Sequence, residues 1–533
     1  MKSNLLAIGL AAVAALTAQA AGKPKLVVTV VVDQFRYDYL TRFRAEYKGG
    51  FDRMLREGAV FTNAYYAQAP TVTAVGHSIV NSGAMPSVSG IVDNSWFDRA
   101  TGRLLTSVCD DRYRVVGAAT PPPGPRCEDS DPASPNRLLV STVGDELRNR
   151  DDRSKVFGIS LKARSAILPS GHRANGAFWF DDKSGAFISS TYYFAELPPW
   201  VRDFNGEKLP DRYLDRKWPG FESWDFHPPA GSPLPYERLL PSPWGNEMLE
   251  RLAERAIDAE KLGQRGVTDL LTVSFSSNDY IGHRVGPDAP EVRDMCIRTD
   301  QLLGQLMDFA ARKAGRENIL FILTADHGVS PMPKVQQQRG MPGGYVSADL
   351  EGLVRSALAK KFGDANYVTG VVDNAIYLDH KILDSRNVDP AAAYRVVAEA
   401  LFAAPEAHVA RVFDRDQLSQ GIAGDPLAAA VENGFNPARS GDIIVVFEPY
   451  YMRGAKTSTT DSHFTPYNYD THVPAIFFGA GIKPGWHRER IQVNDIAPTL
   501  SALMDVEPPS GTFGRVLTEA LQEPGPPAES SGR

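Results

Sequence analysis

Three short apolar runs, far apart in the chain, each end on a polar cluster that carries an aspartate. Leu26–Val32 is rich in β-branched residues and runs into Asp33. Asp269–Phe275 runs into Ser276-Ser277-Asn278-Asp279, and residues 318–323 run into Thr324-Ala325-Asp326-His327. Strands that are apolar along their whole length suit a sheet covered on both faces. Helical patterns lie between them: residues 51–57 stop at Gly58 and residues 291–314 at Gly315, both good stop signals. Strands alternating with helices predict an α/β fold with a central, mainly parallel sheet flanked by helices. In such sheets ligands bind beyond the carboxyl ends of the strands, so aspartates at three such ends are expected to converge.

Taken together, those acids form a metal-binding pattern. Asp279-x-x-x-His283 follows one strand, Asp326-His327 follows another, Asp33 follows the first, and His463 lies near the end of the chain. A lone aspartate at a strand end is usually a turn or N-cap residue. The combination is more specific: mixed carboxylate and imidazole ligands suit zinc, and less well manganese or iron, and six of them make two sites of three ligands. Two metals about 3.5–4 Å apart clamp the entering and leaving oxygens of a phosphoryl transfer. Thr73, in Thr73-Ala74-Val75-Gly76-His77, precedes a helix-like run that ends at Gly83. Alone it reads as an N-cap. Next to a metal, a hydroxyl at a helix start becomes a candidate alkoxide nucleophile.

The rest of the 533-residue chain restricts the setting. Hydrophobic content of 43%, charged content of 23% and a net charge of -7 describe a globular protein with no basic stripe for nucleic acid. Met1-Lys2, an apolar run over residues 5–16 and Ala18-Gln19-Ala20 form a signal peptide, with cleavage expected after Ala20 and export to the periplasm or medium. No later run reaches the ~20 apolar residues of a spanning helix. Of the three cysteines, Cys109 and Cys127 flank a Pro/Gly-rich loop and could pair, while Cys296 reads as a buried thiol. Residues 21–522 read as one catalytic domain elaborated by insertions at about 163–243 and 331–441. The second insertion carries its own signals at Leu350–Phe362, 367–378 and Pro390–Phe402. Residues 523–533 have the composition of a disordered tail.

The segments VVVDQFRYDYL, TVTAVGHSIVNSG, GIVDNSWFD, SLKARSAI, GAFWFD, SSNDYIGH, TADHG and YNYDTHVPAIFFG, in that order, resemble the alkaline phosphatase superfamily. Within it, the chain is most similar to the bacterial phosphate-irrepressible, threonine-nucleophile alkaline phosphatases. The resemblance covers nearly the whole mature chain. It implies two zinc ions per chain, one held by Asp33, Asp326 and His327, the other by Asp279, His283 and His463, with Thr73 between them as the nucleophile. It implies that Asn94 donates to a phosphoryl oxygen and that Lys162 and Arg164 contact substrate oxygens. The implied reaction is hydrolysis of small phosphate monoesters by a monomer, through a phospho-threonine.

Lys162 and Arg164 have an independent argument: positions i and i+2 of an extended segment point the same way, and two cations there suit a dianionic phosphoryl group. A phosphodiesterase or nucleotide pyrophosphatase would share Thr73 and the metal ligands, so the two cations carry the preference for monoesters. A catalytically dead phosphate-binding protein is the alternative from another class. Sulfatases need a Cys or Ser nucleophile, which this chain lacks at the loop. The chain departs from the family pattern at Val75, where Pro is common, and at Ser462-His463-Phe464, where His-Gly is common. His472 competes with His463 as the last ligand; the resemblance favours His463, whose distance ahead of the Val-Pro strand fits the superfamily's ligand position. His77 and His172 are expected to be structural.

Overall fold

The computed structural model describes residues 22–118, 131–224, 226, 234–454 and 462–522. The expected signal peptide, tail and Cys127 lie outside these residues. Cys109 is disulfide-bonded, and Cys296 is a free, buried thiol.

Ten strands make the main sheet among the described residues. In chain order they are β1 (Leu26–Val32), β2 (Ala59–Tyr65), β3 (Val115–Val116), β4 (Val156–Ser160) and β5 (Gly176–Asp181), then β6 (Ala186–Ser190), β7 (Asp269–Phe275), β8 (Ile319–Thr324), β9 (His472–Gly479) and β10 (Gly485–Gln492). Their spatial order is β10-β2-β9-β8-β1-β7-β4-β5-β6-β3. The centre, β8-β1-β7-β4-β5, is parallel throughout. Every residue of β1, β7 and β8 is buried, as their unbroken apolar runs predict. Register aligns their carboxyl ends: Val31 pairs with Thr324 and Val32 with Phe275, so these strands end at one level. Helix Pro290–Ala314 packs against the core and holds a second helix by its N-terminus. Buried Asp300 accepts from the backbone N–H groups of Lys48, Gly49, Phe51 and Asp52 at the start of Gly50–Glu57.

The two expected insertions differ. Part of 163–243 belongs to the main sheet, because β5 and β6 extend it beyond β4. β5 (GAFWFD) is buried at all six positions and needs the cover of the main sheet. Residues 331–441 contribute most of a separate antiparallel sheet, of order Val368–Val372, Ala375–Leu378, Ile443–Phe447, Val409–Asp414. Its strand Ile443–Phe447 lies beyond residue 441. Helices Leu350–Phe362 and Pro390–Phe402 form as the sequence predicts and bury Val354, Leu358, Val397 and Leu401. Residues 367–378 form a hairpin of two strands.

Candidate active site

The level ends of β1, β7 and β8 deliver Asp33, Asp279 and Asp326 to one buried place. Asp279 lies in the first turn of helix Ser277–Val285, so His283, four residues on, shares its face: His283 Nε2 is 3.1 Å from Asp279 Oδ1. His327 Nε2 is 3.5 Å from Asp33 Oδ1 and 3.4 Å from Asp326 Oδ2. His463 arrives from the loop before β9, its ring stacked on His327 with centroids 3.5 Å apart and its Nε2 3.7 Å from Asp279 Oδ1. Two groups of three ligand atoms thereby converge, Asp33/Asp326/His327 and Asp279/His327/His463. His283 stands at the rim of the second.

The donor chemistry fits metal ions. His327 Nδ1 donates to the Gly328 carbonyl at 2.9 Å and His463 Nδ1 to the Thr71 carbonyl at 2.8 Å, which turns both Nε2 lone pairs inward. Burial holds the pKa of His327 near about 3 and that of His463 well below the usual range, so both are neutral. Asp33 Oδ1 and Asp326 Oδ2 are buried and accept no hydrogen bond. Burial and then the Asp33 carboxylate push Asp326 well above the ordinary carboxyl range. Crowded acids of this kind ionise when cations offset their charge.

Thr73 is the first residue of helix Thr73–Ser82, and its Oγ1 lies 3.5 Å from His327 Nε2. Val75 is fully buried, and the helix passes through it unbroken to Gly83, whose left-handed φ of 65° closes the C-terminus. His77 uses both ring nitrogens, on the Thr73 carbonyl and on Ser274 Oγ at 2.9 Å each, and so ties the helix to β7. Asn94 Oδ1 accepts from the Ala74 N–H at 2.9 Å, which fixes the amide with its oxygen on that backbone and leaves its NH2 as the donor end.

The profile of type I phosphodiesterases / nucleotide pyrophosphatases matches residues 27–472. The alkaline phosphatase PhoV of Synechococcus elongatus is 36% identical over 95% of this chain and 94% of its own. The alkaline phosphatase PafA of Elizabethkingia meningoseptica is 35% identical over 94% of this chain and 95% of its own. The PafA crystal structure superposes with a TM-score of 0.87, covering 95% of this chain and all of that one. The chain belongs to the phosphodiesterase/nucleotide pyrophosphatase family of the alkaline phosphatase superfamily. Its fold is that of PafA.

Seen within that family, the cations depart from the expected geometry. Lys162 and Arg164 are not alternate positions of an extended segment: Lys162 is the N-cap of the short helix Ala163–Ile167 and Arg164 lies inside it. A helix rotates successive side chains by about 100°, so the i, i+2 argument fails here. Lys162 is 2% exposed, and its Nζ lies 2.6 Å from both Asp33 Oδ2 and Asp279 Oδ2. Burial opposes its charge, and Asp279 and Asp33 more than offset that, raising its pKa. For Asp279 burial is likewise outweighed, by His283 and Lys162, and its carboxyl sits well below the usual range. His472 lies apart from the cluster, stacked between Tyr37 and Tyr65 with Nε2 on the Thr62 carbonyl. His172 bonds Asp145 and the Leu138 carbonyl. Sequence reasoning passed over Gln34, which touches two of the aspartates. Its signal was its place directly after Asp33, which spacing rules for ligands do not read.

Proposed function

We propose that this family member is an alkaline phosphatase that hydrolyses phosphate monoesters through a phospho-threonine on Thr73. In this reading a two-zinc centre is held by Asp33, Asp326 and His327 on one side and by Asp279, His283 and His463 on the other. The observation that carries it is the convergence of Asp33, Asp326, Asp279, His327 and His463 in two groups that share His327, with the Thr73 hydroxyl 3.5 Å from His327 Nε2 at a helix start. Relatives named alkaline phosphatases, similar over the length of the chain, support it. Zinc bound there supplies Lewis acidity and stabilises charge on the reacting oxygens.

The chain's own residues do the rest. Thr73 Oγ1 loses its proton to solvent and bonds to phosphorus while the bond from phosphorus to the alcohol oxygen breaks. The alcohol leaves with a proton. Water then attacks the phospho-threonine, releasing inorganic phosphate and restoring the hydroxyl. Asn94, its oxygen fixed on Ala74, offers NH2 to an equatorial oxygen, where a preorganised donor acts on developing charge. Lys162 and Arg164 add positive charge for the dianion. The enzyme is read as a monomer, exported by residues 1–20; among the described residues no helix is long and apolar enough to cross a membrane.

Diester cleavage is the second reading, favoured by the diesterases that give the family its description. The test compares kcat/KM for p-nitrophenyl phosphate and bis-p-nitrophenyl phosphate in wild type and in the double variant Lys162→Ala, Arg164→Ala. The proposal expects a monoester preference of several orders, most of it lost in the variant. Equal losses on both esters, or a diester preference in wild type, would overturn it.

A further inference from the structure

Gln34 occupies a costly position. It is not glycine, yet its φ is 59°, in the left-handed region. It is also 2% exposed. A residue of this kind persists in such a conformation when its surroundings fix it. Here they do so through two aspartates that follow different strands. The Gln34 backbone N–H donates to Asp326 Oδ1 at 3.1 Å, and its side-chain Nε2 donates to Asp279 Oδ1 at 2.8 Å. Helix Ser277–Val285 gives way to admit the amide: a Cβ on Gly282 would stand 1.8 Å from Gln34 Oε1. A side chain there, one residue before His283, would displace the Gln34 amide from its place.

The consequence is a sorting of carboxylate oxygens. Asp326 Oδ1 takes two backbone donors, from Gln34 and, at 3.0 Å, from His327, while Asp326 Oδ2 has none. On Asp279 the amide fills part of Oδ1, which also faces His283 Nε2 and His463 Nε2. Each carboxylate is thereby rotated into one setting. The contact to Asp326 is made by backbone, and the contact to Asp279 by side chain.

We propose that Gln34 is a positioning residue for both halves of the metal centre, and that its side-chain amide sets the affinity of the half that contains Asp279. The inference rests on the metal-centre reading above. Groups that orient ligands typically change metal affinity by about 10–100-fold when lost. The asymmetry comes from the two contacts: changing the side chain removes the bond to Asp279 and spares the bond to Asp326.

The test is a zinc titration against a competing chelator on full-length wild type, Gln34→Met and Gln34→Gly, with Tm measured in parallel. Methionine keeps the bulk without the donor. Glycine also relieves the left-handed backbone, so a loss it shares with methionine does not come from strain. The expected result is one zinc per chain weakened about 10–100-fold in both variants, the other unchanged, and the fold retained. Two zincs bound with wild-type affinity, whatever the Tm, would overturn the inference while leaving the metal centre standing. Equal weakening of both ions would overturn the asymmetry. Wild type that binds no zinc would remove the metal centre and the inference with it.

Discussion

Asp33, Asp279 and Asp326 are carried at the ends of β1, β7 and β8, three adjacent parallel strands of matched register. Across the site, Asn94 sits before the short strand Ser95–Phe97, and Arg164 on a helix of five residues. The first group is held by the most buried part of the molecule. The second is held by contacts between elements, such as Asn94 Oδ1 on Ala74 N and Arg99 on the buried Asp442 next to the small sheet. The acidic side is thus fixed by sheet register, and the phosphoryl side by tertiary packing around the hairpin of Ser95–Phe97 and Leu104–Thr106. Substitutions should therefore separate the two: changes on the acidic side alter metal content, and changes on the other side leave it unchanged.

The largest effect is expected from Asp326→Asn. It removes a buried carboxylate whose Oδ2 faces the cluster, and metal stabilisation of a transition state is worth several kcal/mol, so kcat/KM should fall by roughly 10³-fold or more. Zinc analysis should find one ion fewer per chain. Retention of both ions would break the division between the two sides.

Asn94→Ala comes next. Removing one preorganised donor costs about 10²–10³-fold in kcat. Zinc content and Tm should stay close to wild type. A loss of zinc in this variant would show that the phosphoryl side also builds the metal centre.

The smallest effect is on stability. Asp442 receives His380, Arg99 and Arg415, which joins the hairpin of residues 95–106 to the separate antiparallel sheet. Burial works against its charge, but His380 and Arg99 outweigh it and hold its pKa at about 2 rather than 3.8. The folded value is the lower one, so this stabilisation is complete above 3.8 and is lost as pH falls through about 2. Asp442→Asn should cost about 2 kcal/mol at neutral pH. Chemical denaturation should show that gap closing between pH 4 and pH 2, with zinc content unchanged at neutral pH. A gap of the same size at every pH would assign the loss to packing instead of charge.

The same contrast governs what the sequence disclosed. β1 and β7 match their apolar runs residue for residue, and helices Leu350–Phe362 and Pro390–Phe402 match their patterns, because burial and periodicity act locally. Convergence of the three aspartates followed from parallel strands sharing an active edge. Local pattern did not disclose that Lys162 and Arg164 lie at a helix start, since five residues carry too little periodicity to mark a helix. β5 and β6 read as insertion because the whole stretch 163–243 is rich in Trp, Tyr, Pro and Gly; only their pairing with β4 and with each other decides. Gln34 was invisible for a different reason. Its role depends on a left-handed backbone and on Gly282, more than two hundred residues away.

The central claim is that Thr73 becomes covalently phosphorylated. Zinc-loaded enzyme would be mixed with p-nitrophenyl phosphate, quenched in acid within one turnover and digested, and the peptides weighed by mass spectrometry. One phosphoryl group is expected on the peptide that contains Thr73, its position fixed by fragmentation, and none in Thr73→Ala. Turnover of wild type with no phosphorylated peptide, or undiminished turnover in Thr73→Ala, would contradict the claim.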